Sequence, residues 1–162
     1  MKLFAALLLA AAIFSGCGEE KPAETIGDLG EPPAVGEPRE ISVELPGEAA
    51  MPTMEEGGRR YYLCNDYEIT IDTRQAGDLQ ATIQELTGYD PENLTVLKTR
   101  EPGADRYEFV WASAGEQGER LGRAVVLDDG DYHYTMSVLR DADNTEKLQV
   151  VWRQVFSSFH LA

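Results

Sequence analysis

The sequence predicts an α+β domain in which a mainly antiparallel β-sheet, laid out as a meander, packs with two helices. Several segments after residue 60 alternate apolar and polar side chains with the period of a strand. The clusters of Gly, Pro, Asp and Glu between the later strands leave room only for tight turns, and such turns join antiparallel neighbours. Two other segments repeat apolar residues at helical spacing, one after the first strand and one at the end of the chain.

In chain order, Tyr67, Ile69 and Ile71 alternate with Glu68, Thr70 and Asp72, which describes a strand with one buried face. From Ala76 to Thr87 the period changes. Leu79, Ile83 and Leu86 share a helical face, and Gly88 stands where a C-terminal stop belongs. After the turn-forming run Asp90-Pro91-Glu92-Asn93, residues 94–100 read as a second strand. Residues 101–105 turn the chain into a strand over 106–114, where Tyr107, Phe109 and Trp111 share a face. Gly115-Glu116-Gln117-Gly118 turns it into a strand over 120–127, and Asp128-Asp129-Gly130 into another over 132–140. The final helix is expected over 144–158, capped by Asp143 with Glu146 as reciprocal partner. Its stripe of Leu148, Val151, Trp152, Val155 and Phe159 reads as packing against the sheet. The strand faces are not cleanly two-sided, so the pattern leaves open whether the helices lie on one face or on both.

The element order from Tyr61 to Leu161, closing on an aromatic helix and Ser157-Ser158-Phe159, resembles the PsbP and DcrB type of α/β/α sandwich. That group includes lumenal photosystem accessory subunits, bacterial lipoproteins and periplasmic proteins. The resemblance implies a domain that assists or binds another protein rather than one that catalyses, and it transfers no functional residue.

Upstream, Lys2 precedes an apolar run from Leu3 to Phe14 and the small residues Ser15 and Gly16, the layout of a secretory signal peptide over residues 1–16. As a helix that run rises about 18 Å, short of a hydrocarbon core of roughly 30 Å. Phe14-Ser15-Gly16-Cys17 resembles the lipobox of bacterial lipoproteins, with Phe14 where that class usually has Leu. The resemblance implies a diacylglyceryl group on Cys17 and a cell-envelope location facing the periplasm or exterior. Gly18 stands where many Gram-negative lipoproteins retained in the inner membrane carry Asp, so the outer membrane is the default in a cell that has one.

Residues 17–60 are expected to be the lipidated N-terminus and an acidic tether, leaving 61–162 as the domain. From Gly18 to Arg60 there is no Tyr, Trp or Phe, and the stretch holds Pro22, Pro32, Pro33, Pro38, Pro46 and Pro52. Ile41, Val43 and Leu45 resist that description, because they alternate like a short edge strand.

The formal net charge is −15, which sets the chain against nucleic acid and anionic head groups as partners. With Cys17 lipidated, Cys64 is a lone thiol, expected to be a small buried hydrophobe. Asp128, Asp129 and Asp131 around Gly130 lack EF-hand spacing and read as a hairpin turn, so no metal is expected. There is no Gly-rich phosphate loop, His-Glu-x-x-His, Cys-x-x-Cys or Gly-x-Ser-x-Gly motif, and neither catalysis nor a cofactor is expected. The expected role is a membrane-anchored accessory domain that binds an envelope protein. The alternative is a small-ligand module on a half-polar sheet face near His133 and Trp111. Candidate contacts are Trp111, Gly115, Glu116, Gln117, Gly118 and His133, with the glycine-flanked loop after Trp111 the better prospect because glycines permit close backbone approach.

Overall fold

A computed structural model describes residues 35–115, 118–142 and 145–162, apart from some side chains early in the last helix. The strands are β1 (Ile41–Ser42), β2 (Met54–Glu56), β3 (Arg59–Leu63), β4 (Tyr67–Gln75), β5 (Leu97–Glu101), β6 (Ala104–Gly115), β7 (Gly118–Asp128), β8 (Tyr132–Asp141) and β9 (His160–Leu161). The helices are α1 (Leu79–Thr87) and α2 (Thr145–Ser158), with single 3₁₀ turns at Gly47–Ala49 and Pro91–Asn93.

The main sheet has seven antiparallel strands in the order β2-β3-β4-β8-β7-β6-β5. The four-stranded meander expected from the turn chemistry is β5 to β8. Residues 75 and 132 pair at one end of the sheet, so β4 extends the meander beside β8.

Register decides the layers. Ile69 pairs with Val138 and Ile71 with Met136, and Met136 pairs in turn with Val125. These side chains lie with Tyr134, Leu127 and the α2 residues Val155 and Phe156 in one core. The next residue, Val126, points the other way and packs with Ala124, Phe109, Trp111 and Ile83 of α1. Both valines are 0% exposed. The helices therefore cover opposite faces, which makes an α/β/α sandwich.

Local chemistry fixes the helix ends. Asp78 accepts from the Gln80 amide, so α1 begins at Leu79 rather than Ala76, and the Ala76 amide instead donates to the Asp131 carbonyl. Gly88, at φ 74°, closes the helix by donating to the Gln84 carbonyl. The last turn of α2 has no basic residue. Arg106 of β6 supplies the cation, donating to the carbonyls of Phe159 at 2.8 Å and Phe156 at 2.6 Å. Phe156, absent from the expected stripe, is 1% exposed, while the expected cap Asp143 and the side chains of Glu146, Leu148 and Val151 lie outside the described residues.

The tether boundary needs correction. Residues 35–162 form one compact unit, so the fold begins at Val35 and not at Tyr61. Ile41, Val43 and Leu45 pack on the α2-side core, and Ala49 is 1% exposed within it. Ile41 pairs with Leu161 and Ser42 with His160, which makes the expected edge strand real but gives it a two-stranded ribbon of its own. Hydrogen bonds fasten the segment along its length: Tyr132 Oη donates to Gly36 O, the Arg39 amide to Tyr134 Oη, and Tyr67 Oη to Glu48. The prolines and acids suggested an extended chain, and the chain is indeed extended here. It is also docked, because Ile41, Val43, Leu45 and Ala49 meet the α2-side core, while Val35, Met51 and Met54 stay exposed.

Candidate functional site

At one end of the sheet, the β3–β4 turn at Cys64–Asp66, the β6–β7 hairpin and the end of β8 come together. Two open depressions lie there. The first, about 500 Å³, is lined among others by Cys64, Asp66, Glu68, Ser113, Ala114, Arg120 and Asp141. The second, about 470 Å³, is lined by Tyr89, Ala112, Ser113, Ala114, Gly118 and Glu119. Ser113 and Ala114 border both. Gly115 pairs with Gly118 to close the hairpin, and φ of 139° at Gly118 favours glycine. Thus two of the expected loop contacts, Gly115 and Gly118, stand at this end of the sheet; Glu116 and Gln117 lie outside the described residues, as does Cys17.

The electrostatics of this end are acidic. Arg120 is bound to Glu68 at 3.0 Å and to Asp141 at 3.5 Å, leaving Asp66 and Glu119 as further acids at the rims. Cys64 is half-buried rather than fully enclosed, and its amide donates to the Tyr67 carbonyl. Burial pushes the Cys64 thiol up from its ordinary value, with the nearby Glu48 carboxylate acting in the same direction, which keeps it protonated and a poor nucleophile. Burial likewise raises the Tyr67 phenol, as does its hydrogen bond to Glu48.

His133 and Trp111 are not where a ligand site requires them. The sequence points to the half-polar face of β8 near His133 as the alternative ligand face. Instead α1 covers it: His133 is 1% exposed, and its Nδ1 lies 2.9 Å from the Thr82 hydroxyl of that helix. Burial lowers the His133 pKa, with Asp128 opposing, so the neutral ring is favoured. Trp111 packs in the α1-side core over Gly122, where a Cβ would overlap the indole. Neither side chain borders the two depressions, and the alternative ligand face is therefore filled by protein.

Two further polar clusters account for their own charges. Gly130 N donates to Asp128, and Asp131 N and Tyr132 N both donate to Asp129, which also accepts from Tyr134 Oη. These are hairpin contacts, made with Gly130 at φ 97°. On the α1 face, Asp72 accepts from Arg59 and Arg74, and both arginines reach Glu85, holding its carboxyl below the ordinary value. This network escaped the sequence reading. Its only trace was Asp72 and Arg74 at i, i+2 on one strand, with partners set by tertiary packing.

No family model matches the chain. Over 121 residues, 74% of its length, it is 28% identical to a protein of Halomicrobium mukohataei named "Putative lipoprotein"; the chain spans about 60% of that relative. Among solved structures, the cyanobacterial PsbP (CyanoP) of Synechocystis superposes with TM-score 0.51 at 14% identity, covering 83% of this chain and 99% of its own. The fold is PsbP-like. A protein of Bacteroides thetaiotaomicron superposes with TM-score 0.52 at 12% identity, covering 75% of this chain but 45% of that one. The PsbP-like domain here therefore corresponds to nearly the whole of one neighbour and to less than half of the other.

Proposed function

We propose that the chain is a lipoprotein anchored in the cell envelope through Cys17, whose PsbP-like domain binds an envelope protein and does not catalyse. The observation that carries the anchor is the cysteine at the end of the apolar leader, Phe14-Ser15-Gly16-Cys17. The similarity to a protein named as a lipoprotein supports it. The domain role is supported by the character of the surface: the hollows at the β6–β7 end are open and shallow, whereas His133 and Trp111 are enclosed under α1. A broad, acidic, shallow end suits a protein partner better than an engulfed small molecule. The raised Cys64 thiol and the engaged His133 ring weigh against nucleophilic or acid–base work by either.

Fractionation tests the anchor. Wild-type protein is expected in the membrane fraction and to incorporate radiolabelled palmitate, and Cys17→Ala is expected to lose both. Retention of Cys17→Ala in the membrane would overturn the anchor. In-cell crosslinking of the full-length lipidated protein is expected to trap an envelope protein in stoichiometric yield; the absence of any specific adduct would count against the domain role.

A further inference from the structure

We propose that the free edge of β6 from Val110 to Ala114 accepts an extended, cationic segment of a partner protein as an added strand. The proposal rests on the protein-binding role above and locates the surface that performs it. β5 pairs only with residues 104–108 of β6. From Phe109 to Gly115, β6 has β7 on one side and, among the described residues, no strand on the other. In an antiparallel ladder, alternate residues direct their amides and carbonyls to opposite neighbours. The Tyr89 hydroxyl donates to the Ala112 carbonyl at 2.6 Å and marks the outward set, which by alternation includes Val110 and Ala114.

The sheet's other edges are guarded by charge or shortness, whereas this one carries no charged residue and has one of its carbonyls, that of Ala112, covered by the Tyr89 hydroxyl. β5 carries Lys98 and Arg100, and β2 is three residues long with Glu55 and Glu56. Charge and shortness are the usual defences against unwanted strand pairing. The β6 stretch reads Val110, Trp111, Ala112, Ser113, Ala114, with Trp111 turned into the core and Val110 62% exposed. Its small side chains let a second backbone approach. Beside it lies the 470 Å³ depression, whose floor is the edge itself at Ala112, Ser113 and Ala114. Strand addition uses these elements: main-chain hydrogen bonds for affinity and a neighbouring hollow for a side chain.

Charge selects the occupant. Glu119 borders the hollow, and Asp66, Glu68 and Asp141 border the adjoining one against the single base Arg120. A segment bearing Lys or Arg is attracted to this end, and a second copy of so acidic a chain is repelled.

The test uses the full mature chain carrying Cys17→Ser and, as probe, a short synthetic peptide of alternating Val and Thr with lysines at both ends. The peptide is expected to slow hydrogen exchange at the Val110, Ala112 and Ala114 amides about tenfold or more, and its glutamate-ended counterpart is expected to bind at least about tenfold more weakly. Ala112→Pro removes an outward donor and is expected to abolish the protection; Val110→Lys, which keeps the backbone intact, is expected to weaken binding if the proline variant does not fold. No protection at about 1 mM peptide, equal binding of the glutamate peptide, or an unaffected Val110→Lys would overturn the proposal. So would self-association abolished by Val110→Lys, which would assign the edge to a second copy. In cells, a partner still crosslinked by Val110→Lys would leave the protein-binding role standing and remove the edge from it. Peptide binding at the edge without any crosslinked envelope protein would do the reverse.

Discussion

The two faces of the sheet are closed by different physics. On the α2 face, large apolar side chains from distant parts of the chain meet: Ile69, Leu127, Tyr134, Met136, Phe156 and Phe159, with the docked residues 41–49 laid over them. Among the described residues two cations are sealed there: Arg106, 9% exposed and held by Glu108, Glu101 and two carbonyls, and Arg140, 6% exposed and stacked over the Trp152 ring of α2. On the α1 face the apolar cluster is smaller, and much of the contact is polar: His133 against Thr82, and Asp72 between Arg59 and Arg74. The α2 face holds by area, so its removal is felt in proportion to surface uncovered. The α1 face has less apolar area and adds polar pairs, of which the half-exposed Arg59 ion pair holds little and the buried His133–Thr82 contact holds more.

That contrast breaks most visibly on truncation. Cutting the chain to residues 51–162, which keeps β2 and β3, uncovers the surface under Ile41, Val43, Leu45 and Ala49 and is expected to cost on the order of 4 kcal/mol or more relative to residues 35–162. Urea midpoints of the two fragments would show it; coincident midpoints would mean that residues 35–50 contribute nothing. Next in size, Arg106→Met leaves the Phe156 and Phe159 carbonyls without their donor and Glu108 with Arg123 alone, and is expected to cost ~3–5 kcal/mol. The matching change on the other face, Arg59→Met, is expected to cost ~1 kcal/mol or less, since that arginine side chain is 32% exposed. Equal effects would erase the distinction between the faces.

Thr82→Val keeps the shape of α1 and strips the partner from His133 Nδ1, for an expected loss of ~1–3 kcal/mol in thermal or chemical denaturation. A neutral result would show that α1 is held by its apolar residues alone. The smallest effects are in pH. His133 has a folded pKa below its ordinary 6.5, so the unfolded chain binds the proton more readily. Stability from this group is complete above 6.5 and falls as pH drops toward the lower folded value; His133→Leu is expected to flatten that slope. On the α2 face burial raises the Glu108 pKa, but Arg123 and Arg106 outweigh it and leave the carboxyl below 4.5. Its contribution holds above 4.5 and is lost as pH falls through the folded value. A stability curve with a shoulder beginning near 6.5 and a second loss beginning near 4.5 would separate the faces by titration.

What was legible in the chain follows from the range of each interaction. Tyr67, Ile69 and Ile71 announce β4 because alternation is a property of neighbouring residues. Gly88 ends α1 and Asp128-Asp129-Gly130 forms its hairpin because cap and turn chemistry act over a few residues. The glycines of the β6–β7 hairpin placed one end of the candidate surface for the same reason. The rest depended on residues far apart in sequence. Arg106 reaches carbonyls 50 and 53 positions away, and His133 is buried by a threonine 51 positions before it. Residues 35–49 have the composition of a tether, and their docking is decided by where Tyr67, Tyr132, Tyr134 and the C-terminus happen to stand. The sequence by itself determined β4 to β8 with their turns and the meander, since periodicity and turn residues are local, but not β2, β3 and β9, whose short runs carry no clear period. Only the tertiary structure decided which face each helix covers, which polar groups are sealed, and where β6 outruns β5, because each is set by register between distant strands.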